Sequence, residues 1–310
     1  MSVLPSVEDE MNQIVDEYVE LATFNVLLKS FIAVKAAEKT RWSEITQAVH
    51  LMFAGNSPHI ERLAALTEMM ILALDIMDDL QDQDNADIQW MTCPPGYALN
   101  AVVALLMAVI GEAARLEGAP REGIPSFSQE ASRILMKALE GQFKDLSQSI
   151  VTEADYTEMI QEKSGSLIRL AFYMGYNSSA ISAADIESMN ELAYCIGVIS
   201  QIENDIQDVV CFDLKNDLLH KKKTLPILFL LAEPDEDFPY IQEFYANKLT
   251  EQQFIAKKKE CITYIIESGC IEYSRVIQQL YRNEAQRLLA LLSVESSWKD
   301  KFAELTMIQS

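Results

Sequence analysis

Asp75, Asp78, Asp79 and Asp82 stand at i, i+3, i+4 and i+7. In a helix that spacing puts all four carboxylates on one face. The run before them, residues 63–72, has the composition of a buried helix. Like charges in one stripe repel unless something neutralises them. The same offsets return at Gln201, Asn204, Asp205 and Asp208, again after an apolar run. Carboxylate and amide oxygens are hard donors that suit Mg²⁺, which keeps several waters and shares its remaining positions with substrate phosphates. A single acidic stripe is most often a solvated helix end. Two with matched offsets point to divalent-metal chemistry on a phosphorylated substrate.

Two lysine-bearing segments extend the pattern. Lys163-Ser164 lies between the stripes, and Lys221, Lys222 and Lys223 precede Thr224-Leu225-Pro226. A diphosphate held by Mg²⁺ still has terminal oxygens that need donors, and lysine is a suitable point charge. His50, His59 and His220 fall outside these motifs and are expected to be structural.

The elements that must position these groups read as helices. Glu10 to Ala37 forms one long amphipathic stretch, the segment 55–58 separates two helices, and the segment 93–96 ends the Asp-rich region. Ala98 to Glu117 reads as a core helix, and Ser126 with Gln129 makes an N-cap pair for the next one. Further helical patterns cover Glu153 to Met174, Ala183 to Val210, Glu251 to Ser268 and Glu272 to Leu292. No stretch alternates with period two for long enough to make a sheet. One all-α domain over 1–310 is expected.

Composition narrows the function classes. The 310 residues are 49% hydrophobic and 23% charged, with only 10 Gly and 9 Pro, as expected of a helical globular chain. A net charge of -22 argues against a nucleic-acid backbone or an anionic membrane as the main partner. Metal ions can invert that field locally, so a phosphorylated substrate stays open. The five cysteines form no C-x-x-C pair and fit a reducing cytoplasm. The first residues lack the basic and apolar regions of a signal peptide. The longest apolar run, Ala101 to Ile110, is about half of a bilayer span, so no membrane insertion is expected.

Taken together, Asp78-Asp79-x-x-Asp82, Lys163-Ser164, Gln201-x-x-Asn204-Asp205-x-x-Asp208 and Lys222-x-Thr224-Leu-Pro226 resemble, in order and rough spacing, the trans-isoprenyl diphosphate synthases over residues 35 to 230. The resemblance implies an all-α isoprenoid-synthase fold, with about a dozen helices around a central cavity and two facing Asp-rich motifs. It implies metal ligation by Asp78, Asp79, Asp82 and Asp84 and by Asn204, Asp205 and Asp208. About three Mg²⁺ ions would bind with the diphosphate. It gives catalytic roles to Asp78, Asp79, Asp82, Lys163 and Lys222, and substrate contacts to Lys39, Arg41, Lys163, Gln201 and Lys222. Tail length would be set near Met70, Ala73 and Leu74, for a geranyl or farnesyl donor. A homodimer is the default of the family.

The departures carry as much information. Chain-elongating members hold a second diphosphate with paired arginines after the first Asp motif. By spacing that place is Gln89-Trp90, and no arginine lies between Asp79 and Arg115. Their glycine-glycine-lysine-arginine segment falls at 36–41, where Glu38 reverses a charge. Each charge-assisted contact is worth about 1.5–3 kcal/mol, so a second diphosphate would be poorly held. The run 78–85, Trp90 and the helix start at Ala98 resemble a branch of the family that prenylates a tryptophan of a peptide pheromone precursor. In that branch the lost arginines would make room for an indole-bearing peptide. The expected reaction is Mg²⁺-dependent transfer of a geranyl or farnesyl group to that indole, with release of diphosphate. The alternative is a class I terpene cyclase or an atypical diphosphate synthase on the same fold.

Overall fold

A computed structural model describes residues 6–38, 42–83, 85–116, 126–210, 218–232 and 237–308. Every regular element among them is helical, and no strand is present among the described residues.

The helices begin where side chains can cap them. α1 (Val7–Tyr18) starts at Ser6, whose hydroxyl accepts from the Asp9 amide while Asp9 accepts in return. The long stretch expected from Glu10 to Ala37 is in fact broken, and α2 runs Ala22–Ala36. Val19 turns to an extended conformation there. The Asn25 amide then donates back to the freed Val19 carbonyl at 3.3 Å and to Asp16 at 2.9 Å. α3 (Trp42–Met52) and α4 (Ile60–Asp82) flank the break expected at 55–58. α5 (Gln89–Thr92) is a short turn, and α6 (Pro95–Leu116) follows it. α7 (Phe127–Leu146) opens on the expected cap, with the Gln129 amide donating to Ser126 Oγ at 3.2 Å and the Ser126 amide donating to Gln129 Oε1 at 3.1 Å.

α8 (Glu153–Ile160) passes through a π-helical turn, Gln161–Gly165, into α9 (Ser166–Tyr176). α10 (Ala183–Val210) has the bounds read from the sequence. α11 (Leu225–Ala232) carries Pro226 in its first turn, where a missing N–H is tolerated. α12 (Tyr240–Tyr245), α13 (Glu251–Ile255), α14 (Lys258–Glu267), α15 (Cys270–Leu291) and α16 (Ser296–Leu305) complete the described chain.

Two compact units result. One comprises 1–135, 169–187 and 292–307, and the other 136–168, 188–291 and 308–310. Each is assembled from separate stretches of chain, so neither can be excised as one piece.

In the first unit α4 is the buried axis, with Leu66, Met69, Leu72, Ala73 and Ile76 fully enclosed. Arg62 near its start is buried and donates to Glu10 of α1 (3.1 Å), Glu17 of α1 (2.6 Å) and Glu112 of α6 (2.8 Å), tying three helices together. His50 is structural, as expected. Its Nε2 accepts from the Ser57 amide at 3.2 Å, which leaves Nδ1 to donate to the Gly175 carbonyl at 2.9 Å. α6 is long and apolar enough to cross a membrane by composition, with mean hydropathy 1.8 over its most apolar window. Here it packs on α4 through Ala98, Ala101, Val102, Leu105, Ala108 and Val109. The expectation of a core helix holds for that face only, because Leu99, Val103, Met107 and Ile110 are exposed.

In the second unit α10 runs beside the π-helical turn at glycine-to-glycine contact. A Cβ on Gly197 would stand 2.5 Å from the Gly165 backbone nitrogen, which no side-chain movement can relieve. Gly197→Ala is therefore expected to destabilise the protein by about 1–3 kcal/mol, the usual range for overpacking. Urea unfolding checks this, and an unchanged midpoint would show that the two backbones separate at no cost.

Candidate active site

α4 delivers the first carboxylate stripe on one face, as its spacing requires, and each member meets a different environment. Asp79 is buried. Its Oδ1 accepts from Asn85 Nδ2 at 2.6 Å and its Oδ2 from Trp90 Nε1 at 2.6 Å. The chain reaches these contacts by leaving α4 through a left-handed Gln83 (φ 56°) and keeping Asn85 left-handed as well (φ 51°). Residues other than glycine adopt that conformation at a cost of roughly 1–2 kcal/mol. Asp78 and Asp82 are half-buried on the same face. Asp75 accepts from Lys35 of α2 at 2.7 Å, and Lys35 also donates to Glu38 at 2.6 Å. Burial raises the Asp75 carboxyl to about 6, with Lys35 opposing and Glu38 and Asp78 assisting. Burial works against the Lys35 charge, and the two carboxylates more than offset it, so the ammonium is held above its usual range.

Trp90 corrects one expectation. At the place where an opening for a peptide was expected, the indole is fully buried and meets Phe31 edge to face at 5.8 Å between centroids. Trp90 is packed into the core there and holds Asp79.

The second stripe, on α10, is built alike. Asp205 is buried, accepting from the Tyr156 hydroxyl at 2.5 Å and from Gln201 Nε2 at 2.9 Å. Gln201 in turn accepts from Ser164 Oγ at 3.1 Å, so the π-helical turn is wired to the stripe. Burial first, then the Asp205 charge, holds the Tyr156 phenol well above its usual range, and it stays a donor. Asn204 is exposed and Asp208 half-buried. In both stripes the second residue of the motif, Asp79 or Asp205, is buried and accepts from two protein donors, while Asp78, Asp82 and Asp208 are half-buried and Asn204 is exposed.

Lys163 projects from the π-helical turn and pairs with Asp145 of α7 at 2.9 Å. The lysine run is not a helix face. Lys221 is left-handed (φ 55°), donates to Asn247 at 2.5 Å and lies 4.5 Å from the Phe244 ring centroid. Lys223 donates to the Ile150 carbonyl at 2.8 Å. Lys222 stands between them, half-buried, its carbonyl accepting from the Tyr245 hydroxyl at 2.8 Å. Met70 and Ala73 are fully buried and Leu74 nearly so. Met70 lines a cavity of about 20 Å³ with Val109, Phe127, Ala131, Leu135 and Met174. Lys39, Arg41 and Asp84, which were expected at the site, lie outside the described residues.

The donor set fits a hard divalent ion shared with phosphate. Among the described residues no group of three or more His, Cys, Asp or Glu side chains closes on one point. Mg²⁺ seldom uses a dedicated protein cage, taking one or two carboxylates and filling the rest of its octahedron with water and phosphate oxygens. Accessible Asp78, Asp82 and Asp208 suit that mode, and Asn204 adds an amide oxygen. A clamped carboxylate retains lone pairs for a metal, since each oxygen has two.

Residues 39–265 match the family model for polyprenyl synthetases. The chain belongs to the polyprenyl synthetase family. Among curated family members it is 29% identical to the tryptophan prenyltransferase ComQ of Bacillus spizizenii, over 92% of this chain and 99% of that one. It is 27% identical to ComQ of Bacillus subtilis, over 95% of each. Solved synthase structures share the fold. A geranylgeranyl pyrophosphate synthase from Lactobacillus brevis superposes with a TM-score of 0.77 at 18% identity, covering 98% of this chain and 97% of that one. A polyprenyl synthase from Caulobacter crescentus, solved with calcium and isoprenyl diphosphate, gives 0.74 at 22% identity over 96% and 92%. The isoprenoid-synthase fold expected from the motifs is thus shown.

Lys35, Trp90, Tyr156 and Asp145 are the members of the site that the motifs did not assign. Trp90→Phe keeps the ring against Phe31 and deletes the N–H, so it should cost about 1.5–3 kcal/mol, the range for a hydrogen bond to a charged group. Asn85→Ala, losing a more exposed donor, should cost about 1 kcal/mol. Urea unfolding checks both, and equal effects would show that the buried indole contact is no stronger than the exposed amide one.

Proposed function

We propose that this chain is a prenyltransferase that moves a geranyl or farnesyl group from its diphosphate to a tryptophan indole of a peptide pheromone precursor. Trp90 carries this reading. A buried apolar ring bonded to Asp79 stands where chain-elongating synthases are expected to grip a second diphosphate, so the acceptor must be recognised without that charge. The near full-length similarity to ComQ supports the same acceptor.

The residues divide the work as follows. Asp78, Asp79 and Asp82 on α4, and Asn204, Asp205 and Asp208 on α10, are the proposed metal ligands, with Asp84 completing the first set. Mg²⁺ bound there would neutralise the charge that grows on the leaving diphosphate. Lys163 and Lys222 donate to diphosphate oxygens, with Lys39 and Arg41 as further contacts and Gln201 holding Asp205 in place. Asp145 aims Lys163, and Tyr156 orients Asp205. Met70, Ala73 and Leu74 provide apolar wall for the prenyl tail. A prenyl tail needs far more than the 20 Å³ found beside Met70. The flexible Met70 and Met174 side chains can move aside to enlarge it, a change that methionine makes readily.

On this reading the enzyme works in the cytoplasm, where its described free cysteines, Cys93, Cys195, Cys261 and Cys270, stay reduced. It works as a homodimer. Leu99, Val103, Met107 and Ile110 recur on one face of α6 and are exposed, an apolar stripe suited to a second copy. Val103→Glu combined with Met107→Glu should convert the protein from twice its chain mass to the monomer mass in size-exclusion chromatography with light scattering. A wild-type monomer would remove the dimer from this reading.

The reaction is tested by incubating purified protein with Mg²⁺ and geranyl or farnesyl diphosphate, with and without the tryptophan-containing precursor peptide, and weighing the products. A prenyl-sized mass gain on the peptide is expected, falling by about 10²-fold or more in Asp78→Ala, as when one transition-state electrostatic contact is removed. A hydrocarbon from donor alone would identify a cyclase, and a longer diphosphate made with isopentenyl diphosphate would identify a chain elongase.

A further inference from the structure

α4 changes character over one turn. Met70, Ala73 and Leu74 are buried and apolar, Asp78 and Asp82 are accessible carboxylates, and Asp75 stands between the two groups on the carboxylate face. Three residues of helix rise about 4.5 Å, so Asp75 lies that far from Asp78 toward the apolar side. An allylic diphosphate spanning this boundary has its phosphates level with Asp78 and Asp82 and its hydrocarbon level with Met70 and Ala73. The carbon that loses diphosphate, and the nucleophile that attacks it, then meet at the level of Asp75.

The donor half has no use for a charged group there. Lys35 is buried, with 4% of its side chain accessible, and a buried ion pair of this kind is usually no more stable than well-packed apolar residues. The Asp75 side chain keeps 39% of its surface accessible, although its surroundings desolvate it enough to raise its pKa. Lys35 holds Oδ2 and, through its bond to Glu38, is itself fixed. Among the described residues, two carboxylates and one ammonium leave this cluster one negative charge.

We infer that Asp75, held in position by Lys35, accepts a hydrogen bond from the N1–H of the acceptor indole and stabilises the positive charge left on that ring when C3 bonds to the prenyl group. The inference rests on the tryptophan-acceptor reading above. In the step, the bond between the allylic carbon and the diphosphate oxygen breaks, and its electron pair leaves with diphosphate. The indole π pair forms the new C3–carbon bond, and the charge comes to rest on N1=C2 beside the carboxylate. If the peptide nitrogen then adds to C2, N1 recovers its electron pair and the peptide nitrogen releases its proton to water. Asp75 takes up no proton. It is a catalytic residue by contact with the reacting ring, and Lys35 is a positioning residue.

The test crosses enzyme and substrate changes. Wild type and Asp75→Asn are each assayed for kcat/KM with the precursor peptide and with the same peptide carrying 1-methyltryptophan, which is as nucleophilic at C3 but has no N–H. Wild type should prefer the N–H peptide by about 10- to 100-fold, the factor for a hydrogen bond to a charged group. Asp75→Asn should lose most of that preference, because the two changes remove one contact. Equal losses on both peptides in Asp75→Asn would overturn the inference, leaving Asp75 a role in folding or in ionising the donor. Should the variant fail to fold, equal turnover of the two peptides by wild type overturns it as well. Absence of any prenylated peptide with wild type overturns the tryptophan reading itself, so the two failures are distinguishable.

Discussion

Four carboxylates on one face of a buried helix are a standing electrostatic problem. Neighbours at i, i+3 and i+4 lie about 5–6 Å apart, close enough to repel in a medium less polar than water. This protein solves the problem unequally along α4. Asp75 is met by a buried ammonium, and Asp79 by two uncharged N–H donors. Asp78 and Asp82 stay accessible, where a metal can reach them. Much of the surrounding structure follows from these choices. The left-handed residues after α4, the burial of Trp90 against Phe31 and the course of α2 beside α4 all bring donors to that face.

The second stripe shows the same division by other means. Asp205 is clamped by a phenol and a side-chain amide, while Asn204 is exposed and Asp208 half-buried. A phenol held well above its usual pKa and an indole N–H share one property: neither loses its proton under working conditions. Each clamp therefore orients a carboxylate without competing for its charge. A lysine in either place would neutralise the carboxylate and weaken its hold on a metal. Asp75, which does receive a lysine, is the member of its stripe outside the Asp-Asp-x-x-Asp run of residues 78–82.

The parts legible in the sequence are those encoded by local periodicity. The offsets of the two stripes predict α4 and α10, the helical pattern gives α10 its bounds, and Ser126 with Gln129 predicts the start of α7. The break after α1 escaped because neither glycine nor proline marks it. Its signal is Asn25, which resembles any polar helix residue until its amide is seen donating to Val19. The supporting residues of the site escaped for a different reason. Lys35 is 40 residues from Asp75, and Tyr156 is 49 from Asp205. No local pattern distinguishes a lysine that will be buried beside a carboxylate from one that stays in solvent. Trp90 falls by spacing where the family's arginines are expected, and spacing alone does not tell which way its side chain turns. An indole has both an apolar body and one N–H, and here both are used inward, on Phe31 and on Asp79.

That inward use changes what the acceptor region can recognise. Arginines placed after the first motif would offer a fork of donors to an incoming diphosphate. Trp90 offers its side-chain donor to Asp79 and keeps its ring in the core, so this segment supplies structure rather than charge. Glu38 acts in the same sense, adding a carboxylate to Lys35. Both exchanges move the local balance away from anion binding and toward groups that become positive. A nucleophile that ends the bond-forming step as a cation is stabilised by such a field, and a second diphosphate is repelled by it. On the proposed reading, a preference for a neutral, electron-rich acceptor would follow from the charge of the residues around α4.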